Sequence, residues 1–135
     1  MNDIQNREDI ERLMHAFYAK ATNDPVIGYF FTEVVPLDMQ KHIPVITDFW
    51  ETILFGKVMY RGNVLEIHQH IHQLSAFRSE HFERWVSLFT ATVDELFAGD
   101  KAVLAKQRGE SIATIMKLKT IHSGSPIGKP GGNPV

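Results

Sequence analysis

The chain has 135 residues, 44% of them hydrophobic and 22% charged, with 14 Lys+Arg against 16 Asp+Glu for a formal net charge of −2. That describes one ordinary globular domain without the basic footprint that binding a polyanion requires. Zero Cys excludes disulfides, thiolate nucleophiles, Cys-ligated zinc and iron–sulfur clusters, so any metal or cofactor falls to His, carboxylate, Tyr or Met.

The polar, acidic opening MNDIQNREDIERL has neither a basic leader nor an apolar run, and no stretch approaches the ~18 apolar residues a bilayer span needs. The chain therefore reads as cytoplasmic, with no membrane and no nucleic-acid partner. From Arg7 to Thr22, Ile10, Leu13, Met14, Phe17 and Tyr18 recur at i, i+3, i+4, i+7 and i+8, the stripe of an amphipathic helix. Asp24-Pro25 ends it. Pro25 to Phe31 reads as one short helical turn or a tight corner, and Pro36 marks a loop. Asp38 is placed to N-cap a second helix that carries Ile43, Ile46, Trp50, Ile53 and Leu54 on one face, stops at Gly56, and tolerates Pro44 only if its first turn is bent or starts late.

Residues 57–63 are a connector. VLEIHQHIHQL follows: as a helix it sets Val64, Ile67, His68 and Ile71 on one face with His72 beside it, and as a strand it aligns His68, His70 and His72. The helix is preferred, because the chain offers no partner strands to satisfy a lone strand's backbone. Ser79 is expected to cap a long helix to Ala98 with Phe82, Trp85, Val86, Phe89, Val93, Leu96 and Phe97 inward. A last helix runs from Lys101 to His122 with Val103, Leu104, Ile112, Ile115, Met116 and Ile121 as its apolar set. The Gly- and Pro-rich tail, residues 123–135, reads as disordered. The expectation is an all-α domain over residues 1–122.

His68 is an imidazole on an otherwise apolar face, and each of its ring nitrogens needs a partner. His72, one turn on, could join it in chelating a non-haem metal, although the Glu-x-x-His repeat of di-iron bundles is absent. Tyr18 on the first stripe and Trp85 on the long helix bring polar tips into the interior. His42 shares a face with Ile46 and Trp50. Phosphate loops and nucleophile elbows are missing. Three readings stay open on the residues alone: a haem protein, a non-haem metal protein using His68, His70 and His72, and a cofactor-free helical interaction module.

Taken in order, Phe17-Tyr18, Phe30-Phe31, His42 with Phe49-Trp50, YRGNVLEIH and HFERWVSLFTATVDELFAG resemble the group III truncated haemoglobins over roughly residues 8 to 120. The resemblance implies a shortened globin-like sandwich of helices around one haem b. It implies His68 as proximal iron ligand, with His72 the second candidate, Tyr18, His42 and Trp85 as distal, ligand-side residues, and Phe31, Phe49 and Trp50 packed at the macrocycle. Tyr18 and Trp85 would then donate to a diatomic ligand, and His42 would carry a proton. The ligands implied are dioxygen, carbon monoxide, nitric oxide or peroxide, with an unidentified reductase as electron donor. Nitric-oxide dioxygenase or peroxidase-like chemistry fits these donors better than oxygen transport, in a monomer or weak dimer.

Overall fold

The computed structural model describes residues 1–60 and 62–122, and the tail of residues 123–135 lies outside the described residues. Among the described residues five α-helices occur: α1 Arg7–Ala21, α2 Met39–Phe55, α3 Val64–Leu74, α4 Ser79–Leu96 and α5 Asp100–Lys117. Two π-helical turns, Phe30–Val34 and Leu118–His122, complete the set, and no strand occurs among the described residues. Helix α1 packs on α2 and α4, while α5 packs on α4 and α2. The result is a helical bundle in which α1 pairs with α2, α5 pairs with α4, and α1 and α4 join the two pairs. Helix α3 stands apart and packs on the second π turn.

Local chemistry sets these boundaries. Asn6 accepts from Asp9 N at 2.9 Å to start α1, and Asp38 accepts from Gln40 N at 3.1 Å to start α2, both side-chain caps of a first turn. Gly56, in the left-handed region at φ 70°, closes α2, a conformation that glycine adopts at no steric cost. Asn63 caps α3 through Glu66 N at 3.0 Å. Pro44 lies inside α2 near its start.

Helix α5 has Gly99 at its N-cap position and so lacks a capping side chain of its own. Asp3 supplies one from the other end of the chain, its carboxylate accepting from Lys101 N and Ala102 N at 2.9 Å each. Burial pushes the Asp3 carboxyl up, but the N–H groups of Lys101, Ala102 and Ile4 outweigh it and hold the group below its ordinary value.

Three expectations need correction. The residue at the N-cap of α4 is Arg78, not Ser79, and His81 Nδ1 accepts from Arg78 N at 2.9 Å. On α3, Ile67 is exposed, and the buried face is turned to His68 and His72. On α5, Val103 and Ile115 are exposed, and Ala102, Ala105, Gly109, Ala113 and Met116 face inward. The reason is closeness of approach: a Cβ added at Gly109 would come within 2.9 Å of the Phe89 ring, so α5 meets α4 through small residues. No described helix is long and apolar enough to cross a membrane.

Candidate functional site

The buried stripe of α1 includes Phe17 and Tyr18, and Tyr18 is only 9% exposed. A phenol in that position needs an internal partner, and it finds one across the helix pair. His42 Nε2 lies 2.9 Å from the Tyr18 hydroxyl, with the two rings edge to face at 4.9 Å. Phe31, in the first π turn, packs edge-on against Tyr18 at 5.7 Å. Burial pushes the Tyr18 phenol far above its ordinary value. His42 is held below the usual imidazole range by burial and then by the nearness of His68. Both members of the pair are thus neutral at pH 7.

His68 reaches toward the same region from α3. Its one hydrogen bond among the described residues joins Nδ1 to Val64 O at 2.8 Å. A carbonyl only accepts, so Nδ1 carries the ring proton and Nε2 keeps its lone pair. Burial lowers the His68 pKa against the opposing pull of the Val64 carbonyl, which keeps that lone pair available at neutral pH. This is the donor set an axial imidazole needs: one nitrogen anchored on the backbone, the other open.

His72 and His81 are arranged the opposite way. His72 Nδ1 accepts from Phe77 N at 2.9 Å, and His81 Nδ1 accepts from Arg78 N, so in each neutral ring the proton sits on Nε2. Both are buried, with pKa values lowered chiefly by that burial. Together they clamp two successive amides of the α3–α4 loop. His70 is exposed on the other side of α3. No three His or carboxylate side chains converge to hold a metal ion among the described residues; the helical form of α3 separates His70 from His68 and His72, as the strand reading would not.

Trp85 is half-buried on α4, stacked on Phe89 at 5.2 Å and edge-on to Phe17 at 5.8 Å, which links it to Tyr18 through one ring. Trp50 is 2% exposed and stacks on the other face of Phe89 at 4.9 Å. Phe49 is half-buried between Trp50 and Tyr60. Tyr18 is therefore in contact with both His42 and Phe31, whereas Trp50 and Phe49 extend toward the connector.

Two features went unseen in the sequence. Phe77, in the α3–α4 loop, stacks on His72 at 5.9 Å and lies 6.2 Å from the His68 ring, bracing α3 against Phe30 at 4.8 Å. Its only signal was an aromatic residue inside a polar linker. Asp24 marks a helix stop in the sequence, yet its buried carboxylate also accepts from Arg84 Nε at 2.8 Å and caps Val26 N and Ile27 N. That tie fixes the corner carrying Phe30 and Phe31 to α4.

A helical bundle that sets a neutral, backbone-anchored imidazole near a buried Tyr–His pair is the framework of a globin. No protein-family model matches the chain. It is 30% identical over 112 residues to the group 3 truncated haemoglobin Ctb of Campylobacter jejuni, an overlap of 81% of this chain and 86% of that protein. The crystal structure of the group III truncated haemoglobin from Campylobacter jejuni superposes with a TM-score of 0.78 at 28% identity, covering 93% of this chain and 99% of that one. The chain belongs to the group III truncated haemoglobins, and is therefore a haem-binding globin.

Proposed function

We propose that this globin holds haem b through His68 Nε2, takes up dioxygen and other diatomic ligands, and serves redox or detoxification chemistry toward nitric oxide or peroxide more than oxygen transport. The observation carrying this reading is the tautomer of His68: of His42, His68, His72 and His81, it alone pairs a backbone-anchored Nδ1 with an unengaged Nε2. Bound there, a haem supplies an iron centre for diatomic ligands and one-electron chemistry.

The chain's own residues shape the rest. Tyr18 keeps its phenolic proton because burial opposes ionisation, so it stays a hydrogen-bond donor at any physiological pH. His42, neutral and 2.9 Å away, can accept a hydrogen bond from that hydroxyl and offers an imidazole able to relay a proton delivered from elsewhere. The half-buried Trp85 adds an indole N–H, which can only donate. Donors preorganised in a dry site act at low dielectric, and each contributes about 1 kcal/mol or more to holding developing negative charge. Such retention opposes the easy release that transport needs, while a neutral imidazole beside the donors is suited to general acid–base work. Phe31 and the Asp24–Arg84 tie hold the Tyr18 ring in place. The reading requires a reductase as electron donor and assigns the protein to the cytoplasm.

An absorbance scan of the purified protein after addition of haem tests it. A strong Soret band that shifts with carbon monoxide is expected, together with loss of nitric oxide and formation of nitrate when the oxygenated protein is mixed with nitric oxide. Failure of any Soret band to develop would remove the haem reading, and oxygen release without reaction toward nitric oxide or peroxide would restore a transport role.

A further inference from the structure

From Trp85 an unbroken series of rings leads away from the distal donors. Trp85 and Phe89 are stacked at 5.2 Å with planes 4° apart, and Phe89 and Trp50 at 4.9 Å and 18°. Trp50 meets Phe49 edge-on at 5.6 Å, and Phe49 meets Tyr60 at 5.4 Å. The oxidisable rings, two indoles and one phenol, are separated each time by a single phenyl spacer. Trp50 is buried away from any solvent reductant, whereas Tyr60 is half-exposed at the connector. The terminus is also held in place: Thr52 Oγ1 accepts from both Met59 N at 3.1 Å and Tyr60 N at 3.0 Å, and a side-chain carbon at Gly62 would collide with the Tyr60 hydroxyl.

We propose that Trp85, Trp50 and Tyr60, bridged by Phe89 and Phe49, carry oxidising equivalents from the distal side of the pocket to Tyr60, where soluble phenolic donors are oxidised. The oxidant is hydrogen peroxide, so the proposal rests on the redox reading above. Reduction of one peroxide to two waters breaks its O–O bond and takes up two electrons and two protons. Each electron leaves by way of Trp85, is replaced from Trp50 and then from Tyr60, and Tyr60 releases its phenolic proton to solvent as it becomes a neutral phenoxyl. A phenol from solution returns an electron and a proton to Tyr60 and departs as its own phenoxyl radical. Two such turns oxidise two phenols per peroxide, and the protons released at the surface equal those consumed at the pocket.

Two arms on the haem-loaded full chain test this. In the first, peroxide is added with a nitroso spin trap and adducts are located by peptide mapping, with haem content as the folding control. The adduct is expected on Tyr60, absent in Tyr60→Phe and strongly diminished in Trp50→Phe, which keeps a ring in the stack; adducts on Tyr18 or Tyr29 with Tyr60 unlabelled would overturn the relay. In the second, azide radicals from pulse radiolysis oxidise the indoles directly, and growth of phenoxyl absorption as the indolyl signal decays is expected in the parent and lost in Tyr60→Phe. Transfer in this arm with no radical from peroxide would contradict the redox reading while supporting the relay, and no transfer to Tyr60 would overturn the relay itself.

Discussion

Replacing Tyr18 by Phe removes one hydroxyl from the interior and leaves the ring contacts with Phe31 and His42 in place. The hydroxyl lies 2.9 Å from His42 Nε2, and its single hydrogen can serve one acceptor at a time. With haem bound as proposed, neutral His42 would compete with a ligand for the hydrogen bond of the Tyr18 hydroxyl. Loss of a donor worth about 1.4 kcal/mol should speed dioxygen dissociation about tenfold. His42→Leu should slow it, because the hydroxyl is released to the ligand. In the His42→Leu background, Tyr18→Phe should then cost more than it does alone, with a coupling energy of roughly 0.5–3 kcal/mol as found for residues in one network. Stopped-flow dissociation on the parent, the two single variants and the double variant gives all four corners. Additivity to within about 0.5 kcal/mol, or an unchanged rate in Tyr18→Phe, would refute the shared-proton reasoning.

Asp3→Ala should lower stability in urea by about 1–2 kcal/mol, since two first-turn amides of α5 lose their acceptor; because the folded carboxyl lies below its ordinary value, the contribution is complete above pH ~4 and disappears as pH falls below that. An unchanged unfolding midpoint would contradict the remote cap. Thr47 Oγ1 is buried without a hydrogen-bond partner among the described residues, so Thr47→Val should stabilise the fold by about 1 kcal/mol in the same assay; a loss of stability would mean that an ordered water satisfies the hydroxyl. His72 and His81 hold the α3–α4 loop as neutral acceptors with lowered pKa values. Their contribution is whole above the unfolded value of ~6.5 and is lost as pH falls toward the folded values. Urea stability should thus drop below pH ~6.5, and less steeply in a His72→Gln/His81→Gln double variant; parallel profiles would contradict the clamp.

Much of this was legible in the residues. The α1 stripe is buried as its spacing predicts, from Ile10 to Tyr18, and the Asp38 cap and the Gly56 stop fall where the side-chain chemistry puts them. What was not legible depends on tertiary approach. Periodicity marks Val103 and Ile115 as core, but the closeness of α5 to α4 is set by Gly109 and the alanines, which carry no hydrophobic signal of their own. The α4 start was misplaced by one residue because a histidine three positions on, and not a serine, captures the Arg78 amide. Spacing alone leaves His68 and His72 as rival ligands. What distinguishes them is whether Nδ1 meets a backbone carbonyl, as in His68, or a backbone amide, as in His72, a difference no side-chain pattern encodes.

The axial tether can be tested at one atom. His68→Gly protein should take up haem with an altered, weakened Soret band, and added imidazole should restore the parent spectrum by occupying the vacated position; His72→Gly should keep the parent spectrum without imidazole. A parent spectrum in His68→Gly, with loss and imidazole rescue confined to His72→Gly, would contradict the assignment of iron to the ring anchored on Val64.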